Sequence, residues 1–317
     1  MPLQTVGSPL AWGLFLLFVL GMLALDLGVF HKTAHEIKLK EATFWSAFWI
    51  SLAVVFNGIV WFFYGGEKAL QFGTGYLIEK ALSVDNIFVF VVLFSAFAIP
   101  ASAQHRVLFW GILGALVMRA IFIFVGGALM QKFHAMVYIF GGLLLVTGVK
   151  LYLERNAAEK DPADNAIVKL VRRFVPVTHR FEGMAFTVVE NGKRVATPLL
   201  LALIAVELTD VIFAVDSIPA IFAITTDPFI VFTSNIFAIL GLRSLYFLLA
   251  SVIDRFRELK VGLSFVLVFV GLKMLFVDVY KVPVLASLCV IATLLTASIV
   301  VSLIRQRRAM ALLVGPG

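Results

Sequence analysis

The sequence predicts an all-α polytopic membrane protein. Three observations carry this: the composition, nine long apolar windows, and acidic residues repeated inside two of them. Hydrophobic residues make up 62% of the 317 and charged ones 14%, where a soluble domain carries about 25% charged. No water-soluble domain of this length has an interior that could hide so much apolar surface.

Windows long enough to cross about 30 Å of hydrocarbon fall at 10–30, 42–63, 72–98, 106–130, 133–153, 198–224, 228–251, 260–277 and 282–304. The first follows nine residues without Lys or Arg and is too long for a signal-peptide core, so it reads as a retained span. Spans 1–5 occupy 1–153, a polar connection occupies 154–197, and spans 6–9 occupy 198–317. With the N-terminus outside, 18 of the 26 basic residues lie inside, including eight in 154–197. The outer connections hold only Lys68, Lys132 and Lys281. That asymmetry orients the chain N-terminus out and C-terminus in. It also accounts for the net charge of +7 without a nucleic-acid partner. Within the cytoplasmic connection, FTVVENGKRVA (Phe186 to Ala196) alternates around Asn191-Gly192, which predicts a short β-hairpin. The single cysteine, Cys289, excludes an intrachain disulfide and any multi-cysteine metal cluster.

Spans 3–5 resemble spans 6–8. Aligning Val84-Asp85 with Val215-Asp216 sets Glu79 opposite Asp210, and Gly148-Val149-Lys150-Leu151 parallels Gly271-Leu272-Lys273-Met274. Arg119 lies inside span 4 and Arg243 inside span 7. Units of three crossings must run in opposite directions, so the expectation is an inverted repeat with a binding site near the midplane.

The chemistry lies in EKALSVDNIF (Glu79 to Phe88) and ELTDVIFAVDSIP (Glu207 to Pro219). Each ionised group at the centre of a bilayer helix costs about 2.5–3.5 kcal/mol on insertion scales and marks an ion or proton pathway. Glu79, Ser83 and Asn86 share one helix face, as do Glu207, Asp210 and Ser217. Asp85 and Asp216 point elsewhere on intact helices; Pro219 is expected to bend the second helix and free the Val215 carbonyl beside Asp216. The donors are oxygens: Glu79, Asp85, Asn86, Glu207, Asp210 and Asp216, with Asn57, Ser83, Ser217, Asn235, Ser234 and Thr209 as secondary candidates. Such a set suits Mn²⁺, Ca²⁺ or Mg²⁺. All five histidines (His31, His35, His105, His134, His179) fall in or beside connections, which argues against zinc or nickel. Lys80, Arg119 and Arg243 are the charge partners. Asp26 lies near the inner end of span 1, and Lys150 and Lys273 near span ends. Ion pairs that merely fix helix register are the bland alternative. Acids scattered and sealed onto arginines would exclude a cation site.

At these residues the chain resembles the TerC family of bacterial inner-membrane proteins, particularly its Alx-like members. The resemblance is strongest in GYLIEKALSVDNIFVF (Gly75 to Phe90), in Val206 to Leu249, and in GLKMLFVD (Gly271 to Asp278). It implies manganese efflux, a plan similar to the LysE-type exporters, and metal-handling roles for Glu79, Asp85, Asn86, Glu207, Asp210 and Asp216. No nucleotide-binding P-loop is present. The expected activity is therefore gradient-driven: Mn²⁺ export by antiport against protons from the bacterial inner membrane. It involves no catalysis and no permanently bound cofactor, and homo-oligomerisation is left open. Export of Ca²⁺ or Mg²⁺, a membrane-protein assembly or metal-stress helper docking through 154–197, and an intramembrane enzyme remain as alternatives.

Overall fold

The structure is a computed structural model, and it describes residues 5–28, 39–133, 135–153, 184–190, 192–250 and 259–314. The Asp26, Asp85 and Asp216 side chains lie outside the described set. So do His31, His35, His134, His179, Arg255, Arg257 and residues 154–183.

In chain order the elements are α1 (Pro9–Gly28), α2 (Leu39–Tyr64), α3 (Gly66–Ala96), α4 (Ala101–Lys132), α5 (Ala135–Leu153), β1 (Thr187–Glu190), β2 (Lys193–Ala196), α6 (Pro198–Phe222), α7 (Pro228–Leu240), α8 (Leu242–Ala250), α9 (Leu259–Leu275) and α10 (Val284–Val314). Each expected window holds one helix, except that the seventh holds two, α7 and α8, bent by 42° at Gly241. Among the described residues, five helices are long and apolar enough to cross a bilayer: α2, α4, α5, α6 and α10. The bent pair makes a sixth if it is one span. The described apolar stretches of α1 and α9 are shorter, and α3 carries Glu67, Lys68, Glu79, Lys80 and Asp85.

Local chemistry sets the ends. Asp227 caps α7, its Oδ1 accepting from the Phe229 N–H at 3.1 Å, and Pro228 occupies the first turn, where its missing N–H costs nothing. Gly65 takes φ +86° between α2 and α3, a conformation side chains resist. Pro219 sits inside α6, yet the helix runs on to Phe222. The break in the described helices comes at Gly241 instead. A proline near a helix end removes one hydrogen bond that the flanking turns can spare.

The hairpin pairs Thr187 with Ala196 and Glu190 with Lys193, and Gly192 at φ +76° supplies the turn. Thr197 ties it to α6: the Thr197 hydroxyl donates to the Ala185 carbonyl at 2.7 Å and its N–H to Phe186 at 3.0 Å.

Every residue of α7 is buried, so it is the central element. α3 and α4 pack on it, α6 packs on both of those, and α2 packs on α3 and α8. By contrast α2 turns Phe44, Val54, Val55, Trp61, Phe62 and Phe63 outward, an apolar coat suited to lipid. Small residues let the central helices approach closely. A Cβ on Gly75 would lie 2.9 Å from Ser234 Oγ of α7, and one on Gly111 would lie 2.9 Å from Val206 Cγ1 of α6. α5 and α9 pack most extensively and run antiparallel. They meet at two points. A Cβ on Gly271 would lie 2.8 Å from the Gly141 carbonyl, and one on Gly148 would lie 2.8 Å from the Ser264 carbonyl.

Candidate functional site

Four helices deliver polar side chains to one buried point. Glu79 projects from the middle of α3, Arg119 from α4, Asp210 and Ser217 from α6, and Asn235 from α7. Asp210 and Ser217 are seven residues apart, two turns, which brings both to the same face. Glu79 is 0% exposed, Arg119 1% and Asp210 3%.

Arg119 is the hub. Its Nη1 donates to Glu79 Oε1 in a short charge-assisted contact, and also reaches Ser217 Oγ and Asn235 Oδ1, each at 3.3 Å. Nη2 meets Asp210 Oδ1 at 3.1 Å and Nε meets Oδ2 at 3.4 Å, a fork on a carboxylate. Asn235 Nδ2 donates to the second Glu79 oxygen at 3.1 Å. With both acids ionised, this trio carries one net negative charge.

Beside the trio lies a cavity of about 100 Å³, lined in part by Glu79, Asn86, Arg119, Ser217 and Thr147. Asn86 is 2% exposed, and its Oδ1 has no hydrogen-bond partner among the described residues. The remaining walls are apolar: Leu82, Leu151, Phe213, Leu263 and Leu267. An unpaired amide oxygen in such surroundings is costly unless something uses it.

Several other expected residues whose side chains are described lie off this point. Glu207 is half-buried and lies against α4, where a Cβ on Gly114 would fall 1.9 Å from its Oε1. That glycine cradle sits one turn from the Asp210 side chain. Lys80 was expected to neutralise the acids, but its ammonium donates to the Ala238 carbonyl at 3.2 Å and fits against Gly241. Consecutive helical residues point about 100° apart, which gives Lys80 a different hydrogen-bond partner from Glu79. Where α7 ends, its last carbonyls attract a cation. Arg243 is buried in the first turn of α8. Asn57 on α2 lies beside Gly73, its Oδ1 buried and unpaired. Ser83, Thr209 and Ser234 turn their hydroxyls to the carbonyls of Glu79, Ala205 and Val231.

Among the described residues no three of His, Cys, Asp and Glu gather as a metal cluster. Two carboxylates converge, supplemented by amide and hydroxyl oxygens, and both converge on an arginine. The acids are thus neither scattered nor free. Sequence reasoning did not find the Gly114 and Gly241 cradles, because a glycine in an apolar run reads as helix packing.

A second polar cluster ties the N-terminal segment to the α6–α7 connection. Asp227 Oδ2 accepts from the Val6 N–H at 3.0 Å and pairs with Lys68 at 3.3 Å, and Thr5 donates to Oδ1 at 3.1 Å. These residues line a cavity of about 530 Å³ at that end.

Comparison with known proteins fits this arrangement to a lineage. The chain is 62% identical over 305 residues to an uncharacterised membrane protein of Myxococcus xanthus, covering 96% of this chain and 95% of that one. It is 49% identical over 309 residues to an Escherichia coli K12 protein provisionally named a membrane-bound redox modulator, Alx, covering 95% and 96%. A Rickettsia felis membrane protein is 42% identical over 299 residues, covering 94% and 98%. No solved structure matches the chain. Residues 64–310, most of the chain and all of the Arg119 centre, match the integral membrane protein TerC family. The chain belongs to the TerC family of integral membrane proteins.

Proposed function

We propose that this chain exports divalent metal cations, Mn²⁺ first among them, from the bacterial cytoplasm across the inner membrane in exchange for protons. The observation that carries this reading is the convergence of Glu79 and Asp210, from the two acidic helices, on one buried oxygen-rich centre. Asn86, Ser217 and Asn235 complete a hard-donor set, and Asp85 and Asp216 of the same two helices are proposed to serve the ion's path on either side of it. A trio with one net negative charge in low dielectric must take up a proton or a cation. Protonation weakens a carboxylate as a ligand, which supplies the exchange. Expelling a divalent ion against a negative-inside potential costs roughly 4–5 kcal/mol at 100 mV, and inward protons offset it.

The architecture proposed is nine spans, N-terminus out and C-terminus in, with spans 3–5 and 6–8 as inverted repeats. Its support is the α5–α9 crossing. Shifting by the offset that aligns Gly148 with Gly271 carries Gly141 onto Ser264, so the two close approaches exchange with each other. Likewise the α4–α6 contact has its counterpart in α3–α7.

Oxygen donors also accept Ca²⁺ and Mg²⁺, so competition among the three ions sets the specificity. The relatives' redox description fits metal handling better than thiol exchange, since a dithiol needs two cysteines and this chain has one. Everted vesicles test the whole reading. Mn²⁺ uptake should rise with an inward-acidic gradient and collapse when it is dissipated. Uptake indifferent to the gradient removes the coupling, and no uptake of any of the three ions removes the transport.

A further inference from the structure

One side chain holds most of the described oxygens that a cation would use at the centre. The Arg119 guanidinium contacts Glu79, both oxygens of Asp210, Ser217 Oγ and Asn235 Oδ1. A metal ion needs those same lone pairs, and two cations cannot share them in a site shielded from water. The site and its plug are therefore built from the same atoms.

There is also somewhere for the plug to go. Arg119 borders the cavity of about 100 Å³ on whose wall Asn86 carries an unpaired carbonyl oxygen. Asn86 is 2% exposed, and its amide oxygen is an acceptor that a guanidinium N–H can satisfy. Arginine suits the part better than lysine. Its charge persists in any surroundings, and its flat fork matches a carboxylate on one side and an amide on the other.

We propose that Arg119 is a tethered competitor of the transported cation. It occupies Glu79 and Asp210 when no ion is bound, and swings toward Asn86 when an ion takes its place. This rests on the cation-site reading above and adds a role for the arginine that a mere fastener of helices would not have. The competitor lowers the affinity of the site, so that only metal in excess is taken, and it offsets one of the two acidic charges while the site awaits an ion.

The test uses the full chain in lipid nanodiscs, with Mn²⁺ binding read from the loss of the free-ion signal in electron paramagnetic resonance. Arg119→Ala should bind Mn²⁺ at least ~10-fold tighter than the wild type, roughly the yield of removing one buried competing charge. Free guanidinium should compete with Mn²⁺ in Arg119→Ala and leave the wild type unmoved. Arg119→Lys keeps the charge with fewer contacts, so it covers the case in which the alanine variant fails to fold; it too should bind more tightly. Unchanged or weaker binding in a folded variant, or no competition by guanidinium in Arg119→Ala, overturns the proposal and leaves Arg119 a structural fastener. A wild type that binds none of Mn²⁺, Ca²⁺ and Mg²⁺ defeats the cation-site reading itself, a separate outcome.

Discussion

The two segments of the molecule that carry Arg119 and Arg243 differ in shape. α4 is one helix of 32 residues. Its counterpart is split at Gly241 into α7 and α8, which meet at 42°. The unbroken helix presents Arg119 to both acids. The broken one presents Asn235 to Glu79 and, three residues on, the Ala238 carbonyl to Lys80. Two consecutive residues of α3 thus hold α7 at adjacent points, Glu79 through Asn235 and Lys80 through the Ala238 carbonyl beside the bend. The lesson is that one such segment stays a continuous helix while the other bends, and the bend falls where Lys80 fits.

The largest effect should follow loss of the acids on either side of Arg119. Glu79→Gln and Asp210→Asn should each cut Mn²⁺ transport in everted vesicles by ~100-fold or more, since breaking a buried pair costs about 3–5 kcal/mol. If either retains wild-type transport, the comparison loses its centre.

Next comes the mirrored crossing of α5 and α9. Gly148→Ala and Gly271→Ala each push a Cβ to 2.8 Å from backbone atoms of the facing helix. Backbone cannot step aside, so both should lower the melting temperature by similar amounts, about 1–3 kcal/mol of overpacking. Gly142, with open space around it, is the control. Sharply unequal losses at the two positions would break the symmetry.

The hinge gives a smaller and more specific effect. On Gly241 a Cβ would lie 2.9 Å from Lys80 Nζ, the far end of a flexible side chain, and 3.1 Å from Trp49 Cβ. Gly241→Ala should therefore fold, displace the ammonium, and slow turnover by roughly 10-fold while Mn²⁺ binding stays put, the pattern of an altered conformational step. A change in binding with turnover intact would assign the hinge a different job. The smallest effect is at the outer tie. Lys68→Ala removes a partly exposed pair with Asp227, worth up to about 1 kcal/mol. A shift of more than several degrees in the melting temperature would mean this tie supports more of the fold than its exposure suggests.

Much of the helix layout was legible from length and apolarity alone, since a bilayer demands about twenty apolar residues and the chain displays them at regular intervals. The 186–196 segment forms its hairpin because alternation and a glycine turn are local signals. What local pattern could not supply was the fate of individual polar groups. Glu207 and Asp210 share a face by arithmetic, yet Asp210 meets Arg119 of α4 while Glu207 lies against Gly114 of the same helix. Lys80 follows Glu79 in the chain and serves a different partner. Pro219 lies within α6, which continues to Phe222, while the neighbouring span is interrupted at Gly241, a position that local pattern does not single out.

By itself the sequence determined that this chain lives in a membrane and which helices carry acids. Burying charge in hydrocarbon is expensive enough to be read from one dimension. Only the tertiary structure decided that Glu79 and Asp210 meet across a single arginine, and which oxygens were left over. Pairing depends on distances between helices that no spacing along one helix contains.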